Sequence, residues 1–532
     1  MIKKFHFLSV NSSFSHSSLA LPILHAAAKN IQNWQWTQTE CTILSDPATV
    51  AIELAAADPD VIGCTLYLFN RNHALDILSR FHRLKPETKI VLGGPECTHE
   101  SGRELLHNYP FIHTVFIGEA EGIFAEYLAN FSDSMPRGIL PENTRAQYDD
   151  WSNNQVINDV FFNTSKAFVQ YETSRGCPIG CKYCTSSNIP LRLKDLRIIE
   201  KELEILQAKG VKEIRLLDRT FNFPQWRGAA LLRLFREKFP GMEFHLEIHP
   251  QFLNNKIRKE LSCAPNLHIE AGIQSLDEKV QHAIGRNSKS NEVINGIKFL
   301  ASCTNFETHV DLICGLPEQD LNSLLNDIAC LIQLNVDEIQ LETLKILHGT
   351  PLQSLTENYS IAYSPTPPYD VMRTNTFAAE EILYTRGISR LLDLFHNHPS
   401  LRNIVRALEL NTAEKLKIFT DFMLAANIGI LSTLDLKKRV LLLADFVKKH
   451  PSDKAAFEIS GTWLKQGYPM NELPFGEIRK YSGEPPSQAD KKMLEILNHR
   501  ETKLWQLICG SSILNFAVNR HFKLNGAALF WQ

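Results

Sequence analysis

The segment Ser174-Arg175-Gly176-Cys177-Pro178-Ile179-Gly180-Cys181-Lys182-Tyr183-Cys184 decides how the rest of this 532-residue chain is read. Its three cysteines stand at spacing C-x3-C-x2-C. Thiolates are soft ligands suited to iron in an iron–sulfur cluster. Pro178 and Gly180 keep the segment from forming regular helix, so the sulfurs can turn toward one point. A zinc site normally takes four protein ligands, usually in two pairs, and no second Cys or His pair lies close by. A four-iron cube has four corners to ligate, and three thiolates leave one iron open. A loop of ordinary buried thiols is the plainer alternative.

Outside this segment the composition is that of a globular protein. The chain is long enough for three or four domains of ~150 residues. Hydrophobic residues make up 44% and charged residues 22%, and the formal net charge is −3, so no global basic field points to nucleic acid. The eight cysteines beyond the motif are scattered and mostly set in apolar stretches, the usage of reduced thiols rather than a disulfide framework. The N-terminal apolar run is too short and polar for a signal peptide, and no stretch approaches the ~18 apolar residues of a membrane span. A cytoplasmic protein with no membrane and no nucleic-acid partner is expected.

Residues 1–145 alternate strands and helices. Phe5–Val10, Cys41–Leu44, Val61–Leu68, Lys89–Leu92 and Thr114–Ile117 read as strands, and Leu19–Ile31 and His73–Leu84 as helices, the first with Ser17 or Ser18 as a cap. This predicts a doubly wound, Rossmann-like parallel sheet, whose ligands bind beyond the carboxyl ends of its strands. Those ends carry Asn11 and His16, Thr65 and Tyr67, Gly93 and Gly94, and Gly118 and Glu119. No G-x-G-x-x-G follows the first strand, which disfavours a dinucleotide. Residues 146–165, with Trp151, Asn153 and Asn154, read as a linker.

Residues 166–365 hold six strand-like runs separated by helical pattern: Ala167–Thr173, Glu213–Asp218, Glu243–Ile248, Leu267–Ile273, Thr308–Ile313 and Glu338–Leu344. Six βα units suit a partial (β/α)6 barrel of TIM type, with functional groups at its C-terminal mouth. The predicted strand ends bear Asp218, Glu247, Gln274 and Asp311, with Arg286 twelve residues beyond Gln274 and Gly315 beyond Asp311. Polar groups gathered at one end of an apolar barrel are costly to bury unpaired and imply a polar ligand. Residues 366–532 are expected to be mainly helical, with amphipathic spacing over 380–395, 412–425, 437–449, 454–466 and 488–498, and β-prone residues at the end.

The cysteine spacing, with Tyr183 just before the last thiol, resembles the signature of radical S-adenosylmethionine (SAM) enzymes. The segments E-I-x-P, G-x-Q-S…R and D-L-I-x-G-L-P are similar to those of the coproporphyrinogen-oxidase-type and B12-dependent members, and the first domain resembles their cobalamin-binding domain. The resemblance implies Cys177, Cys181 and Cys184 on a [4Fe–4S] cluster, with SAM on the open iron. It implies Glu247, Gln274, Arg286 and Asp311 as SAM contacts, with Gly315 and Tyr183 near the adenine. Asp218 stands in place of the Gly-Gly-Glu element of many relatives and is expected to accept from the SAM ammonium, to pair with Arg219 or to touch substrate. Cobalamin is expected against Asn11, His16, Thr65, Tyr67, Gly93, Gly94, Gly118 and Glu119. His16 lacks the Asp and Gly of the D-x-H-x-x-G loop, so no histidine is expected on cobalt. Cys314 is expected to be an inert buried thiol. The implied activity is methylation of an unactivated carbon or phosphorus of a small molecule, with electrons from a flavodoxin or ferredoxin. Radical SAM oxidoreductases, cyclases and isomerases, and a non-catalytic iron–sulfur protein, are the alternatives.

Overall fold

The computed structural model describes residues 2–141, 151, 156–187, 189–264, 266–425, 433–481, 502–518 and 528–531. The chain gathers into two compact units, one of residues 1–307, 315–318 and 343–379, the other of residues 308–314, 319–342 and 380–532.

The first unit begins with a parallel sheet of β1 (Lys3–Asn11), β2 (Trp34–Thr42), β3 (Val61–Thr65), β4 (Lys89–Gly93), β5 (Ile112–Phe116) and β6 (Gly138–Leu140), in the order β2-β1-β3-β4-β5-β6. Five helices connect them: α1 (Ala20–Ala28), α2 (Pro47–Ala57), α3 (Arg71–Leu84), α4 (His99–Asn108) and α5 (Glu121–Ala129). β1 is buried over seven consecutive residues because both sheet faces are covered. One face packs on Leu54, Leu78 and Phe81, the other on Leu21, Phe124 and Leu128. The chain leaves β1 for β2 on one side and returns to β3 on the other, which opens a crevice at the strand ends.

β2 is nine residues long, not the short Cys41–Leu44 strand expected. It pairs within this sheet only with β1, and as an edge strand its exposed residues carry no apolar run. The expected serine cap of α1 is not formed: Leu19 holds the N-cap position with no side-chain cap bond, and the Ser18 hydroxyl before it accepts from the Ala20 amide at 3.2 Å.

The second layer of this unit starts with β7 (Val169–Tyr171), then β8 (Ser174–Arg175) and β9 (Arg192–Leu193), an antiparallel pair that brackets the cysteine loop. β10 (Glu213–Leu216), β11 (Glu243–Ile248) and β12 (Leu267–Gln274) follow, and β7, β10, β11 and β12 pair in parallel in that order. Helices α6 (Leu196–Ala208), α7 (Gln225–Lys238), α8 (Asn255–Cys263), α9 (Glu278–Ala283) and α10 (Ser290–Ser302) alternate with them. Trp151, expected in a linker, is 5% exposed and lies under the Arg175 guanidinium, 4.7 Å from ring centre. Asn153 and Asn154 lie outside the described residues.

The second unit holds β13 (Thr308–Cys314), α11 (Leu321–Gln333) and most of β14 (Glu338–Thr343). Helices Ala379–Leu391, Ala413–Ala425, Leu436–Lys449 and Asp453–Lys465 follow. The expected helix at 488–498 lies outside the described residues. The helical expectation for this region also needs an addition: Glu477–Lys480, Lys503–Cys509, Ser512–Val518 and Ala528–Trp531 form a four-stranded antiparallel sheet. Leu507, Leu514 and Phe516 of that sheet pack with Leu464 of the last helix.

Candidate active site

The cysteine loop is fixed from both sides. On entry, Gly176 has φ +83°, and a Cβ there would lie 2.3 Å from the Pro190 carbonyl oxygen, so only glycine lets the two limbs of the loop pass. The Cys177 amide donates to the Ile189 carbonyl at 3.3 Å. On exit, the Lys182 amide donates to Ile284 O at 2.9 Å and its ammonium to Ala283 O at 2.9 Å. These bonds bring the turn after α9, and with it Arg286, against the thiols. Arg286 is 4% exposed, and its Nη1 stands 3.7 Å from Cys181 Sγ and 3.5 Å from Tyr183 Oη. Burial pushes the Cys181 thiol up and Arg286 opposes it, which favours a thiolate once a metal is bound.

All eleven cysteines are free thiols. Among the described residues no three His, Cys, Asp or Glu converge on a single-ion site. A cube of irons takes each thiolate on a different iron and asks for no such convergence. Three thiols on one braced loop suit such a cluster. Cys263 departs from the apolar pattern expected of the other cysteines and is exposed. Cys314 is 1% exposed and receives the Thr385 hydroxyl at 3.3 Å, the environment of an inert thiol.

The strand-end residues divide into two kinds. Asp218 is 2% exposed, and all four of its acceptor positions are used. Oδ1 accepts the Thr173 and Ser174 amides at 2.8 and 3.2 Å, and Oδ2 their hydroxyls at 2.5 and 2.6 Å. Burial raises its pKa and these bonds oppose the rise. This corrects the expectation for Asp218: it braces the entry to the cysteine loop, does not pair with Arg219, and has no lone pair left for an ammonium. Gln274 is the opposite case. Its Oε1 is buried with no partner among the described residues, and its backbone sits at φ +70°, rare outside glycine. Arg286, whose Nη2 donates to Gly272 O at 2.7 Å, keeps a buried Nε with no partner among the described residues. An orphaned buried donor or acceptor costs about 1–3 kcal/mol. One free acceptor and one free donor suit the ammonium and carboxylate of an amino acid, which is the end of SAM that meets iron.

Glu247, at the end of β11, is held above the ordinary carboxylate range by burial, against the pull of Arg219. The next polar residue, His249, is pushed down to about 3 by burial and by Arg286, so it is neutral. Its Nδ1 accepts from the Gln251 amide at 3.3 Å, which leaves Nε2–H to donate to Ser288 Oγ at 3.1 Å. Gly315 has φ +80° in the first unit. Asp311 lies on β13 in the second unit, 3.3 Å from His309 Nε2.

A cavity of about 650 Å³ opens at the crevice of the first sheet. All eight residues expected at cobalamin line it: Asn11 and His16, Thr65 and Tyr67, Gly93 and Gly94, Gly118 and Glu119. Gly118 has φ +74° and open space where a Cβ would stand, so a flat ligand can lie against its backbone. His16 is held by the Ser13 hydroxyl at 2.8 Å from Nδ1 and stacks edge-on against Phe168; burial and Arg215 lower its pKa. Burial lifts the Tyr67 hydroxyl to about 12, so it stays a neutral donor. The far wall comes from the cysteine loop and from β10's exit: Arg175, Gly176, Ser186, Ile189, Leu217 and Arg219. Polar side chains and bare backbone around a large opening fit the amide-fringed corrin of cobalamin.

A buried ion network joins the two walls. Arg175 donates to Glu121 at 2.6 Å, Glu119 at 3.1 Å and Glu172 at 2.9 and 3.0 Å, and Arg192 reaches Glu119 at 3.0 Å. Burial raises the pKa of Glu172, against Arg175. Glu119 therefore serves the wall through its arginines, and its carboxylate is not free. Sequence reasoning missed Arg175 although it stands two residues before Cys177. The available signal was a charged residue next to a loop that turns on a glycine.

Residues 171–331 match the Radical SAM superfamily, residues 6–128 the B12 binding domain, and residues 357–459 a family described as protein of unknown function (DUF4080). The chain is 22% identical over 398 residues to the 2-(S-pantetheinyl)-carbapenam-3-carboxylate methyltransferase of Streptantibioticus cattleyicolor, over 65% of this chain and 58% of that protein. It is 22% identical over 348 residues to the cobalamin-dependent radical SAM methyltransferase TokK of Streptomyces tokunonensis, over 59% of this chain and 51% of that one. The chain thus spans little more than half the length of these two relatives. The radical SAM methyltransferase TsrM of Kitasatospora setae has the same fold over 69% of this chain and 79% of its own, with TM-score 0.55 and 14% identity. The chain therefore carries a B12-binding domain and a radical SAM domain, and its site suits a [4Fe–4S] cluster, SAM and cobalamin, the cofactors of those two domains.

Proposed function

We propose that the protein is a methyltransferase acting on an unactivated carbon or phosphorus of a small molecule. The observation that carries this reading is the shared cavity, whose one wall is the crevice of the B12-binding sheet and whose other wall is the cysteine loop and the exit of β10. When bound, the cluster and SAM supply a hydrogen-abstracting radical and the corrinoid supplies a methyl group. Cys177, Cys181 and Cys184 hold the cluster, with the Arg286 cation beside Cys181. Gln274 Oε1 accepts from the SAM ammonium, and Arg286 Nε donates to its carboxylate. Glu247 accepts from ribose hydroxyls, and Tyr183 and Gly315 flank the adenine. Thr65, Tyr67, Gly93, Gly94 and Gly118 receive the corrin, and Asn11 steadies the His16 loop through its 3.3 Å bond to the His16 carbonyl. The Arg175 network keeps water from the seam between the walls.

Residues 1–145 then serve cobalamin, 166–365 serve SAM and 366–532 form a supporting domain, with 146–165 joining the first two. Electrons come from a flavodoxin or ferredoxin, and the protein works in the cytoplasm. No helix among the described residues is long and apolar enough to cross a membrane. The test is anaerobic reconstitution with iron, sulfide and hydroxocobalamin, followed by incubation with reductant, SAM labelled in its methyl group and a cell extract from a strain lacking the protein. Transfer of label to a small molecule, with 5′-deoxyadenosine formed, is expected. Formation of 5′-deoxyadenosine and product with the label left behind would instead point to an oxidoreductase, cyclase or isomerase.

A further inference from the structure

Two arginines line the shared cavity, and their surroundings differ sharply. Arg175 is enclosed by the carboxylates of Glu119, Glu121 and Glu172. The Arg219 side chain makes no hydrogen bond and no ion pair with any described residue, and it is exposed at the cavity. Glu247 feels its field without touching it. The cavity's own carboxylates are already taken, so nothing in the wall neutralises this cation.

Its position is set by rigid neighbours. Arg219 follows Asp218, whose four hydrogen bonds pin the backbone, and precedes Thr220. The Thr220 hydroxyl donates to Arg219 O at 2.7 Å and stands 3.5 Å from Cys177 Sγ. The guanidinium is thus presented from a fixed loop, next to a residue that touches a cluster cysteine. A planar five-donor fork is suited to a carboxylate or phosphate.

Resting on the methyltransferase reading, we infer that Arg219 is a substrate-binding residue and that the substrate carries an anionic group, a carboxylate or a phosphate. The anion pairs with Arg219 and so turns the rest of the substrate toward the space between the cluster loop and the corrin-facing wall.

The experiment uses holoprotein carrying cluster and cobalamin, with SAM present, titrated anaerobically by calorimetry with acetate and, separately, with inorganic phosphate. Saturable binding of one of them is expected, and which one binds separates a carboxylate substrate from a phosphate one. Arg219→Gln should weaken that binding about tenfold or more, the worth of a charge-assisted hydrogen bond, with Arg219→Lys between the two. SAM and cobalamin affinities, measured by equilibrium dialysis on the same variants, should stay within about twofold. Equal anion binding in wild type and Arg219→Gln, or no saturable binding at all, overturns the inference. So does a loss of SAM affinity, which would make the anion the SAM carboxylate. A loss of affinity for cobalamin but not for cobinamide would make it the corrinoid's own phosphate, and overturns the inference equally. Failure of the underlying reading is distinct: the methyl label of SAM would then stay out of the product while the anion still bound in an Arg219-dependent way.

Discussion

Asp218 and Gln274 stand at the exits of two strands of the same sheet, and both look like ligand-binding residues in the sequence. The structure separates them by whether their polar atoms are already spoken for. Asp218 holds four donors from Thr173 and Ser174 and is complete without a ligand. Gln274 buries an acceptor that receives no donor among the described residues, on a backbone at φ +70°. A saturated buried carboxylate maintains the fold, whereas an orphaned buried amide leaves an acceptor that a bound group can complete. The same distinction separates Arg175 from Arg219 across the cavity.

The largest expected effect tests the loop that Asp218 braces. Replacing any of Cys177, Cys181 or Cys184 by Ala should abolish the reduced cluster's electron-paramagnetic signal, and an intact signal would mean the loop holds no cluster. Next in size, Asp218→Ala leaves four donors facing a void. It should cost about 3–5 kcal/mol in urea unfolding, as loss of a buried charged partner does; a cost below about 1 kcal/mol would erase its contrast with Gln274.

His249 offers a pH test of a third kind of strand-end residue, one kept neutral. Its folded pKa of about 3 lies below the unfolded value of 6.5. Its contribution is therefore complete above pH 6.5 and is lost as pH falls toward 3, with a slope that approaches about 1.4 kcal/mol per pH unit. His249→Gln should flatten the acid limb of stability by that amount relative to wild type, and parallel acid limbs would show that His249 is charged in the fold. The smallest stability effect belongs to Gln274→Leu, which removes an unsatisfied acceptor. Unfolding free energy should change by less than about 1 kcal/mol while SAM affinity falls about tenfold. The reverse pattern would make Gln274 the structural residue of the pair.

Much of this was legible in the sequence because it is local. The three thiols, Tyr183 and the strand-end residues lie within short segments, and the βα alternation follows from apolar periodicity. The crevice residues Asn11, Thr65, Gly93 and Gly118 were found because a doubly wound sheet puts its strand exits side by side. What escaped depends on partners distant in the chain. Nothing near Asp218 announces that its donors lie 44 and 45 residues away, and nothing near Arg175 announces Glu119 and Glu121. An edge strand needs no apolar run, so apolar pattern marks only the end of β2, and the C-terminal sheet shows only as β-prone ends because its first strand, Glu477–Lys480, is largely exposed and charged.

If one cavity serves both cofactor domains, cobalt and cluster must stand close enough to sense each other. Electron-paramagnetic spectroscopy of protein holding cob(II)alamin and the reduced cluster together tests this most directly. A spin–spin interaction that broadens or splits the cobalt signal, and disappears when the cluster is oxidised, is the predicted result. Two independent signals, each identical to that of protein loaded with one cofactor alone, would contradict it.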